Sequence, residues 1–471
     1  MRTDEPQISF ADLEFRWQGV HLDPLLEQVS GFIDEHPELI DAVGRDLARG
    51  VKQPHTGRKG LTPSQVLRSL VLMRVKNWDY RELRERINDG YTLRNFTGFY
   101  SRRVPRHNAF NQAFNRLQPA TLSAINEAVV QGAVDDSLED GKKLRIDTTV
   151  TEADIHWPTD ATLLWDTVRV LTRLIGRLRE IAPDGVPGFP NRNRAARRRM
   201  QKLQRMSATE RRTQQVRTYR QLLTITEEVL ANAGRTVEAA SDLTAAAPVG
   251  VVTIGALRTE IAHYCRLGHR VVDQTRRRIL DDEQVPASEK IYSIFEPHTD
   301  LIKRGKVRTP VEFGHKVFLA ESAHGLITQY RVLDGNPKDE DHVEASLQNH
   351  AGQFGSAPEV FAADRGFDNS GNQQTCVDAG VSCVGIPQRG GQKTVERATF
   401  EKSADFKKAQ RFRAGIEGRI SVLMRGRGMK RCRAEGRQRF ELFIGGAVLA
   451  NNLLKIAALR IRKKRPRPHA A

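Results

Sequence analysis

Three acidic residues carry the chemistry this sequence could do. Asp147 falls inside Lys143-Leu144-Arg145-Ile146-Asp147-Thr148-Thr149-Val150, an alternating, β-branched run that predicts a strand. A carboxylate there is costly unless it is paired or bound to a cation. Asp364 closes a second apolar run, Glu359 to Asp364, and Arg365-Gly366-Phe367 follows, so its carboxylate is expected at a strand terminus where glycine lets the chain turn. Glu417 lies in a helical stretch beside Phe412, Ile416, Ile420 and Leu423, at the edge of a face that should pack on a sheet. If the two strands are neighbours and the helix crosses their ends, three carboxylates converge. Like charges that close repel and raise one another's pKa unless divalent cations neutralise them. Hard oxygen ligands of this kind suit Mg²⁺, with Mn²⁺ as substitute. Two such ions about 4 Å apart activate a water or a 3′-hydroxyl and stabilise the leaving oxygen in phosphodiester cleavage. Taken singly, each acid has an ordinary alternative: a strand aspartate as turn or cap residue, and Glu417 as ion-pair partner of Arg413 one turn before it.

The charge of the chain points to the substrate class. Its 471 residues hold 75 Lys or Arg against 57 Asp or Glu, a formal net charge of +18, and the sequence pI is about 10.0. A surface of that sign binds nucleic acid through counterion release. An anionic membrane surface is the other polyanion. The mean hydropathy is −0.51, and no stretch reaches the ~18 consecutive apolar residues of a spanning helix. Leu442 to Leu459, interrupted by Asn451, Asn452 and Lys455, therefore reads as a buried core helix. Without a secretory h-region after Met1 the chain is expected in the cytoplasm, associated with the nucleoid. Cys265, Cys376, Cys383 and Cys432 form no CxxC pair and read as reduced bystanders.

The elements that must position the acids follow from periodicity. Residues 1–138 read as an all-α N-terminal module for DNA binding or dimerisation, with Thr62-Pro63 and Asp79 as helix starts and Phe110, Phe114 and Leu117 as a later apolar stripe. A helix-turn-helix reader and a plain bundle with a basic face both fit this pattern. Residues 139–460 read as a catalytic domain interrupted after its first strand by a helical insertion, about 158–290. Residues 192–220 of that insertion carry eleven Lys or Arg and one acid, Glu210. Arg197, Arg198 and Arg199 are its candidate phosphate contacts, a solvated helix face being the alternative. The strand pair 316–320 and 326–332, a helix over 339–353, a strand to Asp364, a helix over 371–379 with Asp368 as cap, a strand over 383–386 and a helix over 406–424 complete a mixed α/β sheet. Residues 461–471 read as a disordered basic tail.

The motifs Ile146-Asp147-Thr148-Thr149-Val150, Ala363-Asp364-Arg365-Gly366-Phe367 and Arg413-x3-Glu417, the last glutamate 53 positions after Asp364, resemble the DDE transposases of bacterial insertion sequences. The kind is that of the IS-four/IS-five superfamily. Asp147 to Trp165 followed by Ile294-Phe295-Glu296-Pro297-His298-Thr299 looks like the ISNCY-like subgroup. The resemblance runs from about Leu61 through Ala457. It implies a ribonuclease-H-like fold, metal ligation and catalysis by Asp147, Asp364 and Glu417, cleavage at terminal inverted repeats followed by strand transfer, and a homodimer on double-stranded DNA, both transposon ends and target. Where relatives carry a tyrosine before the arginine and a lysine after the glutamate, this chain has Gln410 and Met424.

Residues 402–439 add thirteen Lys or Arg against Asp405, Glu417 and Glu435, a field that suits a DNA backbone. Arg413 and Arg419 are the expected phosphate contacts near the acids, with Arg365 beside Asp364. Arg425, Arg427, Lys430, Arg431 and Arg433 are expected to hold flanking DNA. Trp157 and Trp165 are candidates to stack on a displaced base or to pack in the core. Two other readings stand beside a transposase: a catalytically decayed or domesticated relative that only binds DNA, and a ribonuclease-H-like nuclease without joining activity.

Overall fold

The computed structural model describes residues 8–17, 21–53, 56, 60–206, 211–241, 248–303 and 311–464. They form two compact units, one within residues 1–152 and 315–471 and the other within 153–314.

The first unit opens with helices α1 (Phe10–Trp17), α2 (Pro24–Glu35), α3 (Pro37–Ala48), α4 (Pro63–Lys76), α5 (Tyr80–Asp89), α6 (Tyr91–Thr97), α7 (His107–Phe114) and α8 (Pro119–Asp135). Local chemistry sets their starts. Thr62 and Gln65 cap α4 reciprocally with Pro63 in the first turn, and the Asp79 carboxylate accepts from the amides of Arg81 and Glu82 ahead of α5. Ser9 and Asp12 cap α1 in the same reciprocal way, Ser9 Oγ accepting from the Asp12 amide and Asp12 Oδ2 from the Ser9 amide. The buried Asp12 also accepts from Ser101 Oγ at 2.7 Å and Arg102 Nη2 at 2.7 Å. Strand β1 (Lys143–Ala153) follows and carries Asp147.

The second unit is the insertion. Helices α9 (Asp160–Ile181), α10 (Asn193–Arg205), α11 (Arg211–Ala239) and α12 (Pro248–Ile279) enclose a core of their own, with Leu164, Leu171, Leu222 and Ile261 buried in it. Strand β2 (Asp300–Lys303) pairs antiparallel with residues 311–314, the start of β3 (Val311–Ser322). β2 is too short to show in the periodicity.

The chain returns to the first unit along β3 and continues with β4 (Ile327–Val332), α13 (Val343–Phe354), β5 (Val360–Ala362), α14 (Asn372–Asp378), β6 (Cys383–Gly385), α15 (Val395–Lys402), α16 (Ala404–Gly426), β7 (Arg431–Cys432) and α17 (Arg437–Lys464). The strand order is β3-β1-β5-β6, with β4 on β3 and β7 on β1. β1, β5 and β6 run parallel, whereas β3 and β4 are antiparallel, so the sheet is mixed. Asp368 does not cap α14; its carboxylate accepts from the Arg389 amide, and Asn369 accepts from the amides of Gly371 and Asn372 instead.

Helix α17 is long and apolar enough to cross a membrane by length and composition, yet 72% of its most apolar window is buried within the protein. It closes the core of the N-terminal helices, where Leu449, Leu453 and Ile456 pack with residues of α2, α4 and α8. The two interrupting asparagines are satisfied: Asn452 donates to Ile327 O and to Asn126 Oδ1, each at 2.8 Å, and accepts from Ile327 N, while Asn451 accepts from Arg419 and donates to Asn452. The helix also reaches further than the sequence suggests. Residues 461–464 of the expected tail continue α17, anchored by Arg460 on Asp136 and Glu35; residues 465–471 lie outside the described residues.

Candidate active site

Strand register brings the first two acids together. β1 and β5 pair in parallel with Lys143 opposite Val360, Leu144 opposite Phe361 and Arg145 opposite Ala362. Continued two residues, the same register sets Asp147 beside Asp364. Beyond Ala362 the chain leaves the sheet, and the Asp364 carboxylate accepts from the Gly366 amide at 2.7 Å as it caps a 3-10 turn over Arg365–Phe367. Gly366 is needed bare: a Cβ there would lie 2.9 Å from Asp364 Oδ1 and 3.3 Å from Asp339 Oδ2.

The third acid depends on how α16 lies across the strand ends. Gln410 donates to Gly385 O at 2.5 Å, tying the helix to the end of β6. Gly385 permits the approach, since a Cβ there would meet the Ala409 methyl. One turn on, Arg145 of β1 donates to Phe412 O at 2.5 Å and passes so close to Gly415 that any side chain at 415 would strike the guanidinium. The Glu321 carboxylate, fully buried on β3, then accepts from Arg145 Nε at 2.8 Å and from Arg419 Nε at 2.9 Å. An arginine from the sheet and one from the helix thus share one buried acid, and α16 is tied to the sheet on both sides of Glu417, at Phe412 and at Arg419. No local motif signalled Glu321; its partner Arg145 lies 176 positions away.

A single guanidinium sits amid the three carboxylates. Arg413 Nη1 is 3.0 Å from Glu417 Oε1, while Nη2 is 3.4 Å from Asp147 Oδ2 and 3.6 Å from Asp364 Oδ2. The acids differ in solvation: side-chain exposure is 13% for Asp147, 39% for Asp364 and 67% for Glu417. Burial pushes the Asp147 pKa up to about 6, with Asp364 and Asp339 adding to the rise and Arg413 and the Thr148 amide opposing it. Asp339 is the acid the sequence reading did not single out. Its Oδ1 takes Thr148 Oγ1 at 2.8 Å and Lys316 Nζ at 2.8 Å, and its Oδ2 faces Gly366.

These residues fit a divalent cation. The donors are all carboxylate oxygens, they already share one positive charge, and the bare face of Gly366 leaves a cradle between Asp364 and Asp339. A tighter group, Glu139, Asp140 and His324, has ligand atoms within 4.8 Å of one another among the described residues. Glu139 there accepts from Ser322 Oγ at 2.5 Å and from the amides of Asp140 and Gly141, so it is bound into the β3–β4 turn.

The basic residues divide by what holds them. Arg365, Arg425, Lys430, Arg431 and Arg433 are exposed in the first unit, as are Arg197 and Arg198 in the second. Arg199 is half-buried, with Nη1 3.4 Å from Ala195 O. Arg419 is committed to Glu321 and Asn451, and Arg427 to Val75 O at 2.6 Å. Of the two tryptophans, Trp157 is 68% exposed and meets Phe313 edge-on, whereas Trp165 donates to Asn193 Oδ1.

Two family profiles match the chain. One, described as Transposase domain (DUF772), covers residues 18–116, and the other, described as Transposase DDE domain, covers residues 273–453. The second match contains Asp364 and Glu417; Asp147 falls between the two. No curated protein and no solved structure matches the chain.

Proposed function

Because this chain belongs to the DDE transposases of insertion sequences, enzymes of metal-dependent DNA cleavage and transfer, we propose that it cuts DNA at the terminal inverted repeats of its element and joins the freed 3′ ends to target DNA. The reading includes a ribonuclease-H-like catalytic core, formed by the mixed sheet and α16, and action on DNA in the cytoplasm as a homodimer. The observation that carries it is the meeting of Asp147, Asp364 and Glu417 around the Arg413 guanidinium.

Asp147, Asp364 and Glu417 would hold Mg²⁺, and Mn²⁺ in its place. The bound ions supply the activation of a water or 3′-hydroxyl and the stabilisation of the leaving oxygen. The protein's own groups prepare the site. Asp147 is desolvated and therefore seeks a cation; Lys316 and Thr148 hold Asp339 beside it. Arg145, Glu321 and Gln410 set the height of α16 on the sheet and so the position of Glu417. Arg413, which pairs with all three carboxylates, stands where it would take a phosphate of the strand being cut if metal took its place on them. Exposed Arg365, Arg425, Lys430, Arg431 and Arg433 would carry the flanking backbone, and Arg197, Arg198 and Arg199 a further stretch.

The test is a joining assay. Purified protein, Mg²⁺, a donor duplex taken from the DNA flanking the gene and a supercoiled target plasmid should give target molecules covalently linked to donor ends. Cleaved ends without linkage would leave a nuclease, and bound but uncut donor a DNA-binding relative.

A further inference from the structure

The first unit holds a cavity of about 450 Å³ beside the basic residues Lys430, Arg431 and Arg433, and two residues of its wall, Arg74 and Trp78, have no part in the mechanism above. It lies where the end of α4 meets the turn after α16. Nearby, Arg427 ties the two elements together by donating to Val75 O at 2.6 Å. On the wall itself, Gly428, at φ +71°, lets Asn77 pack where a Cβ would otherwise stand. The volume falls in the range of small-ligand sites and is too small for a base pair with its two backbones.

The lining is cationic and aromatic: Arg74, Lys430, Arg431 and Arg433, with Trp78 and Phe443. Asp79, also on the wall, is engaged by the amides that it caps. Arg74 is the unexplained group. Its guanidinium stands 4.0 Å over the Phe443 ring, and its buried Nε finds no acceptor. Burial lowers its pKa, and the groups that push it back up are Tyr80 and Cys432, neither a carboxylate. A half-buried arginine whose Nε is buried without an acceptor, among other cations, calls for an anion from outside the protein. Half-buried Trp78, which packs on the helical core, also lines the cavity and is the indole available to a ring there.

The cavity is also set at a definite distance from the acids. Lys430 O accepts from the Glu152 amide at 3.0 Å, and Glu152 lies five residues past Asp147 on β1, about 17 Å at roughly 3.3 Å per residue. That is some five base steps at about 3.4 Å each.

We propose that this cavity binds one unpaired nucleotide of the DNA strand held at the Asp147, Asp364 and Glu417 site, its base against Trp78 and its phosphate against Arg74, Lys430 and Arg433. The inference rests on the DNA reading given above. Stacking on an aromatic face accepts any base, so the site selects an unpaired state rather than a sequence.

The experiment uses the full chain without metal, and two probes of equal length: a short oligothymidylate and the same phosphodiester strand with every base removed. Tryptophan fluorescence and affinity are read together. Oligothymidylate should bind about five- to a hundredfold more tightly than the abasic strand and quench fluorescence. Trp78→Ala should erase the difference, Trp78→Phe should keep most of it while removing the quench, and Arg74→Gln should weaken both strands. Equal binding of the two strands in the wild type, with duplex DNA still bound, overturns the nucleotide site and leaves the DNA reading intact. Competition by inorganic phosphate with no dependence on the base reduces the cavity to an anion site and equally overturns the proposal. Failure of every strand and duplex to bind would instead remove the DNA reading on which the proposal rests.

Discussion

Asp147 and Asp364 each stand two residues beyond a matched pair, Arg145 and Ala362, on adjacent parallel strands. Their proximity is therefore a property of register. A slip of one residue would turn one of them to the opposite face of the sheet.

Removing either carboxylate should abolish the chemistry and spare the affinity. Asp147→Ala and Asp364→Ala are expected to lose at least about a thousandfold in cleavage rate while binding end DNA within about threefold of wild type, since phosphate contacts supply most of the affinity. Gel-shift and single-turnover cleavage on the same preparations measure both. A variant that still cuts removes its residue from the site.

The raised pKa of Asp147 has a sign that stability can read. Its folded value of about 6 lies above the ordinary 3.8, so the folded state holds the proton more tightly than the unfolded chain does. The advantage is complete below about pH 4 and is lost as the pH rises through 6, a penalty of order 3 kcal/mol at about 1.4 kcal/mol per unit. In chelator, Asp147→Asn should therefore be more stable than wild type by about 2–3 kcal/mol at pH 7.5 and nearly equal to it at pH 4. Urea midpoints at the two pH values check this. Equal stability at pH 7.5 would mean that the carboxylate is not desolvated.

Glu321 should matter more than its distance from the chemistry suggests. Glu321→Ala leaves Arg145 and Arg419 facing each other without their shared buried acid, at a cost of about 3–5 kcal/mol. Glu321→Gln, which keeps the shape, should fold better yet still lower the cleavage rate by loosening α16 under Glu417. Thermal unfolding alongside cleavage rate separates the two effects. Full activity in Glu321→Gln would show that the clamp does not position the helix.

At exposed helical positions Gly→Ala normally gains about 1 kcal/mol. Gly415→Ala should lose about 1–3 kcal/mol instead, because the new methyl meets the Arg145 guanidinium. Gly418→Ala, with nothing within 4 Å of its added methyl, is the control that should show the normal gain. The difference in urea midpoint between the two is the measurement; a gain at both positions would refute the contact.

Much of this arrangement was legible in the sequence, for identifiable reasons. Helices declared themselves through starts such as Thr62-Pro63 and Asp79, β1 through alternation and β5 through its apolar run. Asp147 stood out because a strand aspartate needs an explanation. What stayed hidden depends on through-space pairing. Glu321 gains its meaning only when β3 lies beside Arg145, and Asp339 reads as an ordinary helix-start residue until Thr148 and Lys316 are seen to hold it. Asp12, besides its local bonds with Ser9, reaches Ser101 and Arg102 some ninety positions away. Arg419 reads from spacing as a phosphate contact, whereas its guanidinium faces inward to Glu321.

The central claim is that three carboxylates form one metal-dependent cutting site. Its most direct test is cleavage of DNA carrying the gene's own flanking sequence, with Mg²⁺, with Mn²⁺ and with chelator, comparing wild type with Asp364→Ala. Cuts at discrete positions by wild type alone, and only with metal present, are the predicted result. Cutting that persists in chelator or in Asp364→Ala, or binding without cutting in either metal, would contradict it.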